Sequence, residues 1–308
     1  MSATEPRGVV HPERKASAMT PAQHRTLAQH RTPAQHATLA PHGTVNRTHS
    51  RVDIMGVHVS CVNMRRAVSL VEECVDGSRH GYVCVSDANA LLHARDDGAL
   101  RDVLNDSLLT VPDGMPLVWS GRWAGSQVID RVPGPELMPA VLRLSAERGW
   151  SNYFLGGDEE TMRALIGRLE ESIPGLQVAG WHCPPFRALS EEEDERIVQD
   201  INASGATFLW VGLGAPKQEA WLGSHNHRLT VPVAFGVGGA FAMNAGTVGR
   251  APRWMQRSGL EWSYRLLQEP KRLWPRYSKV IPRFLAGIVG DPPHLLTGPS
   301  RDPGARTP

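Results

Sequence analysis

The sequence predicts an α/β fold: a mostly parallel sheet with helices on both faces. Two observations predict it. Between about 52 and 250, short apolar runs alternate with amphipathic stretches of helical length, the pattern produced when crossover helices cover parallel strands. The amphipathic stretches also carry their own start and stop signals. Pro135 sits at a first helical position, Gly149 just past an end, and Ser190 with Glu193 forms a capping-box pair.

Each element follows from its residues. "YVCVS" (82–86) reads as a strand, and "NALLHARDDGALRDVLNDS" (89–107) as a helix broken near Gly98, with Asn89 a favoured capping type at its start. "LLTVP" (108–112) is a second strand and "PELMPAVLRLSAERG" (135–149) a helix. Next come the strand "NYFLGG", a helix from Asp158 to about Ser172, the strand "LQVAG" and a helix after Ser190. The strand "TFLWVGLG", a helix from about Pro216 and the strand "VPVAFGVGG" complete the alternation.

The ends of the chain differ from this middle. From 21 the sequence runs PAQHRT, LAQHRT, PAQHAT, LAPHGT, with His24, His30, His36 and His42 in register. A six-residue period matches no helical face and offers little to bury, so residues 1–50 read as a disordered, histidine-containing tail. Residues 51–250 form the sheet domain, 251–290 a basic and aromatic helical appendage, and 291–308, rich in Pro and Gly, a second disordered tail. The chain has 308 residues, 41% hydrophobic and 21% charged, with a formal net charge of +2. That balance is too near zero to argue for nucleic acid. Cys61, Cys74, Cys84 and Cys183 show no C-x-x-C spacing and read as reduced thiols of a cytosolic protein rather than a zinc site. No run reaches the length a membrane span needs.

In parallel α/β sheets ligands lie beyond the carboxyl ends of the strands. The residues there are "DAN" (87–89), "DG" (113–114), "GGD" (156–158), "GLGAPKQE" (212–219) and "GVGGAF" (236–241). Glycine after a strand lets main-chain amides approach a phosphate, and the helix that follows adds free N–H groups, so an anionic ligand is expected. "GLGAPK" puts Lys217 where a dinucleotide fingerprint needs its third glycine, and no Walker A loop occurs. The carboxylate of "TVPDGMPLVW" has two readings: Asp113 belongs to a turn made by Pro112 and Gly114, or it is a base at the mouth of a site.

"VSDANALLHARDD", "LLTVPDGMPLVW", "RVPGPEL", "FLGGDEE", "WVGLGAPKQEAWL" and "GVGGAFAMNAGTVGRAPRWMQRSGLEWSYRLLQEPKRLWPRY" together resemble, in order, the bacterial glycosyltransferases of the WecG/TagA/CpsF type. The likeness covers roughly 52 to 285. It implies a Rossmann-like domain with a C-terminal helical appendage that meets the membrane. It also implies inverting, metal-free transfer of an N-acetylmannosamine-type sugar from a UDP-sugar to a polyprenyl-diphosphate-linked acceptor, with no cofactor.

Carried over residue by residue, the resemblance makes Asp113 the base that takes the acceptor hydroxyl's proton. Arg131 of "RVPG" becomes a ligand for the diphosphate. Gln218 and Asn89 become substrate contacts, and Gly156, Gly157, Gly212 and Lys217 line the same strand ends. Asp87 stands where family members usually carry Thr, Ala242 where they carry Asp, and "HCPPF" (182–186) replaces an H-x-G-Y-F element. In the appendage Arg250, Arg253, Arg257, Arg265, Lys271, Arg272, Arg276, Lys279 and Arg283 face only Glu261 and Glu269, interleaved with Trp254, Trp262, Tyr264, Trp274, Tyr277 and Phe284. This composition suits an anionic membrane surface, with Arg265, Arg272 and Arg276 touching lipid or diphosphate. It equally suits a small helical cap with its arginines in water.

The expected partners are a UDP-sugar, a polyprenyl-diphosphate-linked acceptor and the inner face of the cell membrane, where the protein lies peripherally. Nucleic acid is not expected, and a homo-oligomer is left open. A noncatalytic nucleotide-sugar or phosphate binder is the alternative. Such a protein keeps the glycines and Arg131 but has no need of Asp113.

Overall fold

The computed structural model describes residues 49–249, 251–252, 254–255, 260–268 and 270–296. The histidine repeat through residue 48, and the second tail from 297, lie outside the described residues, as do the side chains of Arg265 and Arg272.

The chain opens with an antiparallel hairpin, β1 (Arg51–Ile54) and β2 (Val57–Ser60), closed by Met55 and Gly56 at φ 55° and 83°. Two left-handed residues match the twist of a tight hairpin. α1 (Met64–Asp76) leads into β3 (Gly81–Ser86), followed by α2 (Ala88–Asp96) and α3 (Gly98–Asp106). β4 (Leu109–Pro112) precedes α4 (Met115–Trp123) and α5 (Gly134–Arg148). Then β5 (Ser151–Gly156) alternates with α6 (Glu159–Ser172), β6 (Gln177–His182) with α7 (Glu191–Ala203), β7 (Phe208–Gly212) with α8 (Lys217–His225), and β8 (Val233–Gly236) with α9 (Ala240–Ala245). α10 (Glu261–Gln268), α11 (Pro270–Gly290) and β9 (His294–Leu296) complete the described chain.

Six strands form one parallel sheet in the order β4-β3-β8-β7-β5-β6. One face is covered by α1, α5, α6 and α9 through Leu70, Leu137, Leu165 and Phe241. The other is covered by α2, α3, α7 and α8 through Leu91, Leu104, Ile197 and Leu222. Connections that run one way along the sheet (β4 to β5, β5 to β6) cross the first face. Those that run back (β3 to β4, β6 to β7, β7 to β8) cross the second. A single crossover hand requires this division. Inside the core Trp210 stacks on Phe235 at 4.3 Å and 13°. Its Nε1 donates to Asn152 Oδ1 at 3.0 Å, and Asn152 Nδ2 donates to Ser145 Oγ at 2.9 Å, so the buried polar atoms are paired with one another.

Three expectations change and a fourth is sharpened. The tail from 291 is not structureless throughout: β9 pairs antiparallel with β1, Arg51 opposite Leu296, making a small three-stranded sheet β2-β1-β9. Composition marks Pro and Gly, but it does not see the open hairpin edge that three extended residues satisfy. At the other end the first tail stops short of residue 50, because Cys61 N donates to Ser50 O at 2.9 Å and His49 Nε2 meets Ser60 Oγ at 2.9 Å. Asn89 is not a cap; Asp87 starts α2, its Oδ1 accepting from Ala90 N at 2.8 Å. Finally, the break near Gly98 is complete, since Asp97 caps a separate α3 through the amides of Ala99 and Leu100. The Ser190–Glu193 capping box is present on both sides at the start of α7.

A charged cluster joins α7 to α8. Asp194 Oδ2 meets His225 Nε2 at 2.6 Å and accepts from Arg228 Nη1 at 3.3 Å, while Oδ1 accepts from Trp221 Nε1 at 3.2 Å. Burial pushes this carboxyl up, but the hydrogen bonds outweigh burial and hold it below the usual carboxylate range. A folded-state value below the unfolded one gives stability that is present above the unfolded value and lost as pH falls through the folded one. Asp194→Ala is therefore expected to cost about 1–3 kcal/mol at neutral pH. In chemical-denaturation curves across pH, the gap from wild type closes once the medium falls below about pH 4.

Candidate active site

The expected site residues gather at the carboxyl ends of the strands. Asp113 follows β4 directly, and its amide donates to Ser86 O at the end of β3 at 2.9 Å. Its side chain is partly buried, immediately before the N-cap glycine of α4, Gly114. The Arg131 loop returns to the same place: Val132 N donates to Pro112 O at 2.7 Å. A Cβ on Gly134 would lie 3.2 Å from Val237 O and 3.6 Å from Val85 Cγ1, so this loop is threaded between the ends of β3 and β8. Asp113 and Arg131 are thus brought together by backbone.

Arg131 does not arrive as a bare cation. Its side chain is 12% exposed, and it donates to Glu261 Oε2 at 2.9 Å and Glu136 Oε1 at 3.2 Å. Glu136 lies in the first turn of α5 and Glu261 at the start of α10, so the guanidinium links the sheet domain to the appendage. Sequence reasoning assigned neither carboxylate. Glu136, five residues from Arg131 at a helix start, was legible from spacing; Glu261, 130 residues away, was not.

The glycines lie one strand pair further along. Neighbours β5 and β7 send the chain to opposite faces, α6 on one and α8 on the other, so a crevice opens between their ends. Gly156 (φ 123°) and Gly212 face each other there, and a Cβ on Gly156 would sit 2.6 Å from the Gly212 carbonyl. Gly157 (φ 69°) follows, and Phe241 of α9 backs Gly212 so closely that a Cβ there would be 2.6 Å from its ring.

α8 divides its first turn. Lys217 is exposed, whereas Gln218 is 2% and Glu219 1% exposed. Gln218 Oε1 accepts from Gly214 N at 3.2 Å, and its Nε2 donates to Glu219 Oε1 at 2.9 Å. Burial pushes the Glu219 carboxyl up, against the hydrogen bond from Gln218, and Asp87 pushes it further. Gln218 is therefore seated beneath the strand ends rather than projecting over them.

On the rim, Asn89 is the second residue of α2 and half-buried. Asp87, which the sequence marks as a surplus negative charge, is answered: its Oδ2 accepts from Arg276 Nη2 at 3.1 Å. Arg276 is thereby turned toward α2 rather than outward. Two helical turns on, Arg283 donates to both oxygens of Asp96 at 2.9 and 2.7 Å, and Phe284 is buried in the core. Asp96 is the last residue of α2. The opposite side of α11 exposes Trp274, Ile281, Leu285 and Val289, spaced as one stripe.

At the carboxyl ends of this Rossmann-like parallel sheet stand Asp113, the Arg131 loop and two apposed glycine turns, the place where such sheets bind ligands. Residues 52–293 match the glycosyl transferase WecG/TagA/CpsF family, and the chain belongs to it. Among its relatives are proteins of Staphylococcus aureus strains MW2 and NCTC 8325 / PS 47. Each is 27% identical over 242 residues, covering 78% of this chain and 92% of the relative. Both are named N-acetylglucosaminyldiphosphoundecaprenol N-acetyl-beta-D-mannosaminyltransferase.

Proposed function

We propose that this glycosyltransferase moves an N-acetylmannosamine-type sugar from a UDP-sugar to a polyprenyl-diphosphate-linked acceptor in cell-surface polysaccharide synthesis, with inversion. Asp113 takes the proton of the acceptor hydroxyl while the anomeric carbon is attacked from the face opposite UDP. Arg131, Lys217 and the amides at Gly156, Gly157 and Gly212 receive the departing diphosphate, and Gln218 and Asn89 orient the donor. The observation that carries the reading is the backbone convergence of Asp113 and Arg131 at the ends of β3, β4 and β8, inside the span matched by the family. The named activity of the staphylococcal relatives supports the choice of donor and acceptor.

The reading places the protein at the membrane surface. No helix among the described residues is long and apolar enough to cross a membrane. The exposed stripe of α11, flanked by Lys271 and Lys279, suits the interface of an anionic bilayer. Because Arg276 and Arg283 bind α2, the stripe rather than these arginines is what meets lipid.

One experiment with two arms tests this. A panel of UDP-sugars is incubated with a short-chain lipid-diphosphate acceptor and UDP release is measured; acceptor-dependent release is expected from an N-acetylmannosamine donor. In the second arm Leu285→Glu with Val289→Glu lowers co-sedimentation with anionic vesicles. Acceptor-independent behaviour across the whole panel overturns the function, and unchanged sedimentation overturns the membrane contact.

A further inference from the structure

Gln218 is held in a slot with two sides. Its Oε1 takes the amide of Gly214, in the turn after β7, and its Nε2 gives one hydrogen to Glu219 Oε1. The end of β8 and the turn after it close the slot: a Cβ on Gly236 would stand 3.4 Å from Nε2, and one on Gly238, at φ 50°, 3.4 Å from Oε1. Reversing the amide sets N–H against the N–H of Gly214, so the slot admits one orientation. The second Nε2 hydrogen has no acceptor among the described residues.

Glu219 holds the other side of that slot, and its own state is unusual. The side chain is 1% exposed, and Oε2 is buried with no hydrogen-bond partner among the described residues. Ser86 Oγ is in the same condition. Ser86 and Cys84 point to the same face of β3, two residues apart, and Glu219 lies near enough to Cys84 to raise its thiol further. Two buried, unpaired polar atoms thus lie on the α8 side of the sheet, one of them on the residue whose carbonyl anchors Asp113. Buried polar atoms are ordinarily paired, and a leucine packed among Leu222 and its neighbours would have carried no such penalty. An acid at this point is not explained by packing.

We propose that Glu219 is a positioning residue for the transfer: it fixes the Gln218 amide so that its remaining N–H is presented to the nucleotide-sugar. The inference rests on the donor reading given above. Desolvation and the nearby Asp87 favour the uncharged acid. In that form Oε1 is the acceptor that Gln218 needs, and Oε2–H is a donor.

The test uses the full chain and three variants. Glu219→Gln keeps an acceptor oxygen without charge, Glu219→Leu removes the acceptor at similar volume, and Gln218→Ala removes the amide. Glu219→Leu is expected to raise the UDP Kd and the donor KM by about tenfold, with kcat less affected. Glu219→Gln restores both to within about threefold of wild type, with a pH profile superimposable on it. Gln218→Ala combined with Glu219→Leu is no worse than either alone, as expected of residues acting as a unit. Without any ligand, the Gln218 side-chain amide gives a protected, shifted 15N resonance in wild type and Glu219→Gln that moves to the free-amide position in Glu219→Leu. A folded Glu219→Leu with wild-type Kd and an unchanged amide resonance overturns the proposal. So does a Glu219→Gln as impaired as Glu219→Leu. Absence of UDP turnover in wild type would instead strike the functional reading, while the amide resonance still decides what Glu219 does to Gln218.

Discussion

Asp113→Asn lowers sugar transfer by about a thousandfold, within the range of a lost general base, and leaves the thermal shift produced by UDP as it was. The substitution changes one oxygen for an amide nitrogen at nearly constant shape. The Asp113 main chain is fixed by its own N–H on Ser86 O at 2.9 Å and by the return of Val132 to Pro112 at 2.7 Å, neither of which involves the carboxyl. The loss falls on the step in which a neutral hydroxyl becomes a nucleophile, because an amide cannot take its proton. In the proposed reading UDP meets Arg131, the glycine turns and α8, which this substitution leaves untouched. Single-turnover assays with saturating donor separate the two effects. Retention of full activity would remove Asp113 from the transfer step, and a parallel loss of UDP affinity would place the carboxyl in the nucleotide pocket.

How much of this was legible in the sequence depends on the range over which each feature is decided. The capping box of Ser190 and Glu193, the break at Asp97–Gly98 and the parallel strands are set by residues within one turn or one run of each other. They appear where the pattern put them. Features decided by distant partners were not legible. β9 exists because β1 offers an open edge more than 230 positions earlier in the chain. α4 escaped notice because "MPLVWSGRW" has almost no polar contrast. Its Gly121 is there for close packing, since a Cβ would be 2.5 Å from Ile129. In the site, the types and places of Asp113 and the glycines were readable from strand ends, and Arg131 only from the family resemblance. The compensation of Arg131 by Glu261 and of Asp87 by Arg276 was not, for both pairings cross from sheet domain to appendage. Gln218 was found as a residue, but its burial was not. At a helix start it resembles an exposed contact, and only the turns after β7 and β8 show that it is enclosed.

Gly156→Ala is expected to destabilise the protein by about 3–5 kcal/mol, combining strain at a glycine-only backbone angle with overpacking against immovable neighbours. At φ 123° an L side chain is already disfavoured, and the new methyl would lie 2.6 Å from both the carbonyl carbon and oxygen of Gly212. Those atoms belong to β7, which pairs in register with β5 from Asn152 opposite Phe208 to Gly156 opposite Gly212. Relief by moving β7 is blocked in turn, because Gly212 is pressed against Phe241 and Phe241 meets Phe154 edge to face at 6.1 Å. The strain thus passes into the core rather than out to solvent. Gly205→Ala is the control: its φ is 63°, also left-handed, but nothing lies within 4 Å of the added methyl. It is expected to cost only about 1–2 kcal/mol. Urea denaturation of both variants distinguishes the causes. Equal losses would mean that backbone angle alone dictates glycine at the β5 end, and the close apposition of the two turns would then have no energetic part in shaping the crevice.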